Sequence, residues 1–316
     1  MHAAVVNTLG QPPQYQHFPD PVPAENESLV YVRAAGLHPV VKARASGTHY
    51  SSDGVVPFIP GVDGVGTLED GRRVYFGAAR SPYGSMAERT VIRQSMFVPV
   101  PEGLDDAQAA AIANPGMSAW VSIKERGGLA AGETVLILGA TGVAGQLAIQ
   151  VARHLGAKRI VAVGRNVGAI PAHDVDAIVG LSQPEDAIRN EFAAEAENGI
   201  DLVIDYLWGR PTELLLEGLA KGFHMNATHP TRLVEVGESA GRTIVLPGST
   251  LRSIDLTLLG SGFGSASMDA IFAAIPKLFA LASAGTLKVD IEPVPLAEVE
   301  GAWNRQDKGR RIVFTV

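Results

Sequence analysis

The sequence contains no cysteine among its 316 residues. This absence excludes disulfide bonds, zinc sites with cysteine ligands, iron–sulfur clusters and catalysis by a thiol. The eight histidines include no pair at the His-x-x-x-His spacing that is typical of a metal site. We therefore expect a protein that functions without a bound metal ion.

An excess of positive charge is also missing, because 26 Lys and Arg face 33 Asp and Glu, which gives a formal net charge of −7. Nucleic acids and anionic lipids bind to basic surfaces, so we expect neither as a partner. Residues 1–7 lack both the basic start and the long apolar run of a secretory signal. The uncharged stretch 135–152 is divided by glycines, which indicates a strand, a turn and a helix rather than a membrane span. These features predict a cytoplasmic protein.

Hydrophobic residues make up 46% of the chain, which is enough to form sizeable cores. At about 150 residues per domain, the length predicts roughly two domains. In the first third of the chain, short β-prone runs alternate with turns rich in Gly and Pro, a pattern typical of a β-rich, partly open domain. These runs cover residues 29–33, 64–68, 73–76, 89–92 and 96–100.

From residue 118 to residue 263, strand-like and helix-like segments alternate. The candidate strands are mostly unbroken apolar runs, as expected of parallel strands that are covered on both faces. They are Val135–Leu138, Ile160–Val163, Ala177–Leu181, Leu202–Tyr206, Arg232–Val236 and Leu256–Leu259. The alternation predicts an α/β fold with a doubly wound parallel sheet.

The rest of the chain predicts a long helix over Met268–Ala284, a short helix over Pro295–Gln306 and a last strand over Arg311–Val316. We therefore predict that a sheet domain, 118–263, is inserted into a β-rich domain that is built from 1–117 and 264–316.

The most informative segment joins the apolar run Val135–Leu138 to a glycine-rich turn, Gly139–Gly145, and then to an amphipathic helix. Glycines allow a tight turn and a close approach of the backbone to a pyrophosphate, which the helix N-terminus attracts. The spacing is Gly-x-x-Gly-x-x-Gly rather than the commoner Gly-x-Gly-x-x-Gly. The segment predicts a dinucleotide site; the alternative is a turn that only packs a strand against a helix.

The next candidate strand ends at Gly164, Arg165 and Asn166. Enzymes that prefer NAD usually carry an acidic residue at this place, where it binds the ribose 2′-hydroxyl. The planar guanidinium of Arg165 suits a 2′-phosphate instead, which predicts NADPH as the cofactor. The alternative is a solvated arginine in a loop.

One rival class of dinucleotide enzymes, the short-chain dehydrogenases, needs a Tyr-x-x-x-Lys pair. None of the six tyrosines has a lysine four residues later. The chain therefore lacks the residues that this class uses for catalysis.

Several segments, in their order along the chain, resemble those of the zinc-free quinone oxidoreductase-like branch of the medium-chain dehydrogenase/reductase superfamily. They are Ala35–Pro39, Pro60–Gly66, Tyr83–Glu88, Ser118–Trp120, Val236–Gly237, Gly260–Phe263 and Arg310–Val313. The resemblance covers nearly the whole chain. It implies a Rossmann domain inserted in a GroES-like β-rich domain.

The resemblance also implies a cofactor site for NADPH. Together with the glycine turn, it predicts that the cofactor is bound by Ser118, Gly139, Ala140, Thr141, Gly142, Val143, Ala144, Gly164, Arg165, Asn166, Gly237, Gly262 and Phe263. It further implies a homodimer in which edge strands of the nucleotide domains pair.

Two residues are candidates for catalysis. Tyr50 lies in the loop after the Ala35–Pro39 segment, where relatives often carry an aromatic hydroxyl, and its neutral phenol can donate a hydrogen bond. His38 stands where the branch usually has Asn and is a candidate to orient the substrate or the cofactor. Zinc-dependent relatives hold a metal with a Cys and a His, whereas this chain has Val62 at the His position and no Cys at all.

We therefore predict a metal-free, NADPH-dependent oxidoreductase that transfers a hydride to a small-molecule quinone or α,β-unsaturated carbonyl. The alternative is a protein that binds NADP(H) without turnover, as a sensor or a structural protein that retains the cofactor cleft.

Overall fold

The computed structural model describes residues 1–221, 230–305 and 309–316. The chain forms two compact units, Met1–Asn114 with Ile275–Val316, and Pro115–Ala274. The domain boundaries expected from the sequence, 117/118 and 263/264, stay a prediction. No helix in the part of the chain that the structure describes is both long and apolar enough to cross a membrane.

The described strands, in chain order, are β1 His2–Val5, β2 Gln14–His17, β3 Glu27–Gly36, β4 Asp63–Leu68, β5 Arg73–Gly77, β6 Arg89–Arg93, β7 Phe97–Pro99, β8 Thr134–Leu138, β9 Arg159–Gly164, β10 Ala177–Gly180, β11 Leu202–Asp205, β12 Thr231–Glu235, β13 Leu256–Gly260, β14 Ile291–Pro295 and β15 Arg311–Thr315. The described α-helices are α1 Pro39–Ala45, α2 Asp106–Trp120, α3 Val143–His154, α4 Glu185–Glu197, α5 Gly209–Lys221, α6 Thr250–Ser253, α7 Met268–Ser283 and α8 Val299–Trp303. A π-helical segment, Val121–Arg126, continues α2, and 3₁₀ turns cover Val167–Ala169 and Leu296–Glu298.

The first unit is built on β-sheet. Strands β1 and β2 form an antiparallel pair, and a larger sheet has the order β14-β15-β3-β4-β5-β7, with β6 also paired to β3. Strand β15 pairs antiparallel with β3, so that Phe314 lies opposite Ala35. The last strand of the chain is thereby part of the sheet that the first hundred residues begin. The β-rich domain expected from the sequence is confirmed.

The second unit contains a six-stranded parallel sheet in the order β10-β9-β8-β11-β12-β13. Leu136 and Leu138 of β8 pack with Val203 of β11 in a core that α4 and α5 cover. These side chains are fully buried, and each contributes about 1.5–3 kcal/mol through the hydrophobic effect. The strand order reverses between β8 and β11, where an open α/β sheet forms a crevice beyond the carboxyl ends of its strands. The Rossmann-type doubly wound sheet is confirmed.

Three elements differ from the sequence expectation in their type, extent or burial. Strand β14 was not predicted, because its two prolines disfavour a strand; it forms at the edge of its sheet, where a missing N–H is tolerated. The helix expected over 295–306 is a 3₁₀ turn followed by the short helix α8, and residue 306 lies outside the described residues. Strand β13 was expected to be buried, but it is the last strand of its sheet, and Leu258 is 38% exposed.

Candidate functional site

The glycine turn lies between β8 and α3. Gly139 has a φ of +92°, in the left-handed region that a side chain disfavours. The amides of Gly139 and Ala140 both donate to the carbonyl oxygen of Val163, at 3.0 and 2.9 Å, which ties the turn to β9. A Cβ on Gly145 would lie 2.3 Å from the carbonyl oxygen of Gly139. These two glycines are therefore explained by the close packing of the turn against its strand and helix.

Gly142 is not explained by packing. It is the N-cap of α3, and no side chain among the described residues caps this helix. A Cβ at Gly142 would meet only the carbonyl oxygen of Gly139, at 3.6 Å, which is an ordinary contact. The first N–H groups of a helix have no partner within the helix, and together with the helix dipole they attract an anion. The described residues thus leave room at Gly142 for an added Cβ, and Thr141, Val143 and Ala144 are its neighbours along the chain.

The next cofactor candidates follow β9. Gly164 ends this strand, and a Cβ there would lie 2.7 Å from Cγ2 of Thr141, so that the end of β9 touches the glycine turn. Arg165 and Asn166 are exposed. The guanidinium of Arg165 has no hydrogen bond or ion pair with any described residue, while Ser182 Oγ donates to the Arg165 carbonyl at 3.0 Å. A hydrogen bond therefore holds the backbone of Arg165, and its guanidinium is available to bind a ligand.

Strand β11 is the neighbour of β8 on the other side of the reversal in strand order. Asp205 is buried; its Oδ1 accepts from the amides of Leu207 and Trp208, at 2.8 and 2.9 Å, and its Oδ2 accepts from Thr212 Oγ1 at 2.5 Å. Burial raises the pKa of Asp205, and these hydrogen bonds oppose that rise. Gly237, which follows β12, donates its amide to the Asp205 carbonyl at 3.2 Å.

The remaining cofactor candidates form a second group in the same unit. Ser118, in α2, accepts a hydrogen bond at its carbonyl from Ser122 Oγ at 2.5 Å. The same Ser122 hydroxyl lies 3.1 Å from Ser261 Oγ, next to Gly262. Phe263 follows and is 48% exposed. The structure thus brings Ser118 close to the segment after β13, although 143 positions separate Ser118 from Ser261 in the chain.

Residues 237–241 read Gly-Glu-Ser-Ala-Gly, which has the Gly-x-Ser-x-Gly spacing of a hydrolase nucleophile elbow; the expectation that the sequence contains no such motif is wrong. The elbow requires a helix directly after the strand, and the described chain between β12 and α6 has none. Ser239 Oγ donates to the Tyr206 carbonyl at 2.8 Å. This serine supports the loop after β11 and does not form a nucleophile elbow.

In the first unit, His38 lies in a buried polar cluster with Asp63 and Tyr75. The imidazole is 1% exposed, and its Nε2 lies 3.3 Å from Asp63 Oδ1. The Tyr75 hydroxyl donates to Asp63 Oδ2 at 2.7 Å. Burial and the neighbouring Asp63 raise the pKa of Tyr75 well above its usual value. Our sequence analysis did not identify Asp63 and Tyr75 as a pair, because only the pairing of β4 with β5 brings them together.

Tyr50 has a different setting. Its side chain is 73% exposed and lies against the ring of His49, with the centroids 4.2 Å apart. Within the described residues, no hydrogen bond or ring contact joins Tyr50 to His38. Its role, like that of His38, stays a prediction. The described residues also include no group of three His, Asp or Glu that could hold a metal ion.

Comparison with known proteins was made by sequence and by structure. No family model matches the chain. A probable NADPH-dependent quinone reductase of Emericella nidulans is 29% identical, over 99% of both chains. The human quinone oxidoreductase is 30% identical over 72% of this chain and 66% of its own length. The crystal structure of the quinone oxidoreductase of Thermus thermophilus, also solved with NADPH, is 28% identical, covers both chains completely and has a TM-score of 0.81. The chain belongs to the quinone oxidoreductase-like branch of the medium-chain dehydrogenase/reductase superfamily.

Proposed function

We propose that this protein is an NADPH-dependent oxidoreductase that reduces a quinone or an α,β-unsaturated carbonyl without a metal ion. The observation that carries the proposal is the glycine turn at the reversal of strand order, where Gly142 leaves open space in front of an uncapped helix. The names of the relatives support the same activity: one is a probable NADPH-dependent quinone reductase and two are quinone oxidoreductases.

The residues of the second unit fit NADPH. The pyrophosphate would lie at the N-terminus of α3, against the backbone of Gly142, Val143 and Ala144. Arg165 would hold the 2′-phosphate through charge-assisted hydrogen bonds, since its guanidinium has no other partner among the described residues. When bound, this cofactor supplies the hydride.

The substrate's carbonyl oxygen gains negative charge as the hydride arrives, and a nearby O–H donor stabilises it. Tyr50 is our candidate for that donor, because its phenol is exposed and has no hydrogen-bond partner among the described residues. His38 is our candidate to position the substrate or the cofactor. The buried carboxylate of Asp63 accepts a hydrogen bond from Tyr75 and lies 3.3 Å from Nε2 of the imidazole, so that it is the charged group next to this ring.

The test is the oxidation of NADPH, followed at 340 nm, with 1,4-benzoquinone and with a panel of small enones. We expect turnover with at least one acceptor, together with saturable binding of NADPH. Binding without turnover on any acceptor would support the alternative, a non-catalytic NADP(H)-binding protein. If NADPH does not bind, both functions are excluded.

A further inference from the structure

Tyr206 follows β11 directly, where the strand order reverses between β8 and β11. Its amide donates to the Leu138 carbonyl at 3.1 Å. Its Cβ lies 3.2 Å from the position that a Cβ on Gly139 would occupy. The side chain of Tyr206 therefore begins beside the first glycine of the turn.

The hydroxyl groups of Ser85, Thr90 and Tyr206 are buried without a hydrogen-bond partner among the described residues, and that of Tyr206 belongs to the second unit, beside the glycine turn. The Tyr206 oxygen is shielded from solvent, although the residue as a whole is partly exposed. Burial raises the pKa of Tyr206, and its phenol is a neutral O–H donor at pH 7, as an ordinary tyrosine is. Nearly all buried polar groups in proteins have partners, and a group without one destabilises the fold. Beside a dinucleotide turn, a hydroxyl group of this kind is a candidate to bind a ligand.

The backbone around this side chain is held firmly. Trp208 has a φ of +53°, an uncommon conformation for a residue with a side chain, and Gly209 follows with a φ of +63°. The buried carboxylate of Asp205 maintains this loop through the amides of Leu207 and Trp208. Strained positions that the surroundings hold in place concentrate at functional sites. Thus hydrogen bonds hold the backbone of the loop, whereas the Tyr206 hydroxyl has no hydrogen-bond partner among the described residues.

We propose that the Tyr206 hydroxyl binds the nicotinamide riboside half of the dinucleotide; this rests on the function proposed above. A dinucleotide lies across the reversal of strand order, with its pyrophosphate at the glycine turn. Because Arg165 follows β9, we place the 2′-phosphate and the adenosine half on the side of β8 where β9 lies. The other half then lies on the side of β11, where Tyr206 is. Because the hydroxyl has no partner to lose, turning it to a ligand oxygen breaks no hydrogen bond.

The first experiment compares two ligands by isothermal titration calorimetry: NADPH and adenosine 2′,5′-bisphosphate, which lacks the nicotinamide riboside half. We expect Tyr206→Phe to weaken NADPH binding about tenfold, equal to about 1.4 kcal/mol, and to change the affinity for the bisphosphate less than about twofold. Arg165→Ala should weaken the binding of both ligands. Tyr31→Phe, at an exposed tyrosine of the other unit, is the matched control and should bind both ligands as the wild type does.

The second experiment measures thermal unfolding without ligand. Since the hydroxyl makes no hydrogen bond, Tyr206→Phe should unfold at the wild-type temperature or above it. Tyr75→Phe removes a buried hydroxyl that does have a partner, Asp63, and should unfold at a lower temperature.

The outcomes separate this inference from the proposed function. Unchanged NADPH affinity in Tyr206→Phe, with normal binding by the wild type, would overturn the inference alone. Equal losses for NADPH and the bisphosphate, or a clear fall in the unfolding temperature of Tyr206→Phe, would also overturn it, because the residue would then support the fold of the whole site. A wild-type protein that does not bind NADPH would refute both.

Discussion

The substitution Gly142→Ala tests the phosphate site directly, because the structure separates the two roles of the glycines in the turn. Gly142 has φ −80° and ψ 160°, which any residue can adopt, and an added Cβ would meet only one protein atom, at 3.6 Å. The protein should therefore fold with the added methyl group. A pyrophosphate at the helix N-terminus, however, should clash with that methyl group.

The magnitude follows from the contacts that would be lost. Displacing the pyrophosphate from one backbone N–H removes a hydrogen bond to a charged group, which contributes about 1.5–3 kcal/mol. At 1.4 kcal/mol for each factor of ten, NADPH should bind about ten- to a hundredfold more weakly. The loss of stability should be small, about 0.5–1 kcal/mol, since Gly is a better N-cap residue than Ala.

The matched control is Gly145→Ala, three residues further along. Its Cβ would lie 2.3 Å from the Gly139 carbonyl oxygen, so that the backbone must shift. Such overpacking costs about 1–3 kcal/mol, which lowers the unfolding temperature of a domain of this size by about 2–4 °C per kcal/mol.

The assay for both variants is the quenching or enhancement of fluorescence on NADPH titration, with thermal unfolding measured in parallel. In Gly142→Ala, the loss of binding free energy for NADPH should exceed the loss of free energy of unfolding. The loss of free energy of unfolding should be clearly larger in Gly145→Ala than in Gly142→Ala. If Gly142→Ala binds NADPH as tightly as the wild type, the turn only packs a strand against a helix, and our assignment of the pyrophosphate is wrong.

Four further predictions follow from the site and the fold. Arg165→Ala should remove most of a preference for NADPH over NADH, which we expect to be at least about tenfold, as measured by the two dissociation constants; a retained preference would show that Arg165 does not contact the 2′-phosphate. Tyr50→Phe should lower kcat/KM for an enone about tenfold with little change in NADPH affinity, and an unaltered kcat/KM would remove Tyr50 from the chemistry. The purified protein should contain no stoichiometric zinc by elemental analysis, and its activity should survive chelators; one zinc per chain with loss of activity on chelation would contradict this. Sedimentation should show a dimer that Leu258→Lys, on the exposed edge strand β13, converts to a monomer; a wild-type monomer would refute the edge-strand pairing.

Much of the second unit could be predicted from the sequence. The strand β8 and the helix α3 are contiguous in the chain, and their patterns, an unbroken apolar run and a 3.6-residue period, reflect local rules. The glycine turn between them was visible for the same reason. The sequence also indicated that Arg165 stands where an acidic residue would favour NAD, because that position has a nearly constant distance from the turn.

The sequence alone thus determined the doubly wound sheet, its β-rich partner and the position of the dinucleotide turn, all of which depend on neighbours in the chain. Only the tertiary structure decided which polar groups found partners. The carboxylate of Asp63 accepts a hydrogen bond from Tyr75 through the pairing of β4 with β5, whereas the hydroxyl of Tyr206 is buried without a hydrogen-bond partner among the described residues. A hydrogen bond depends on tenths of an ångström between residues that are far apart in the chain, and no local pattern encodes that distance.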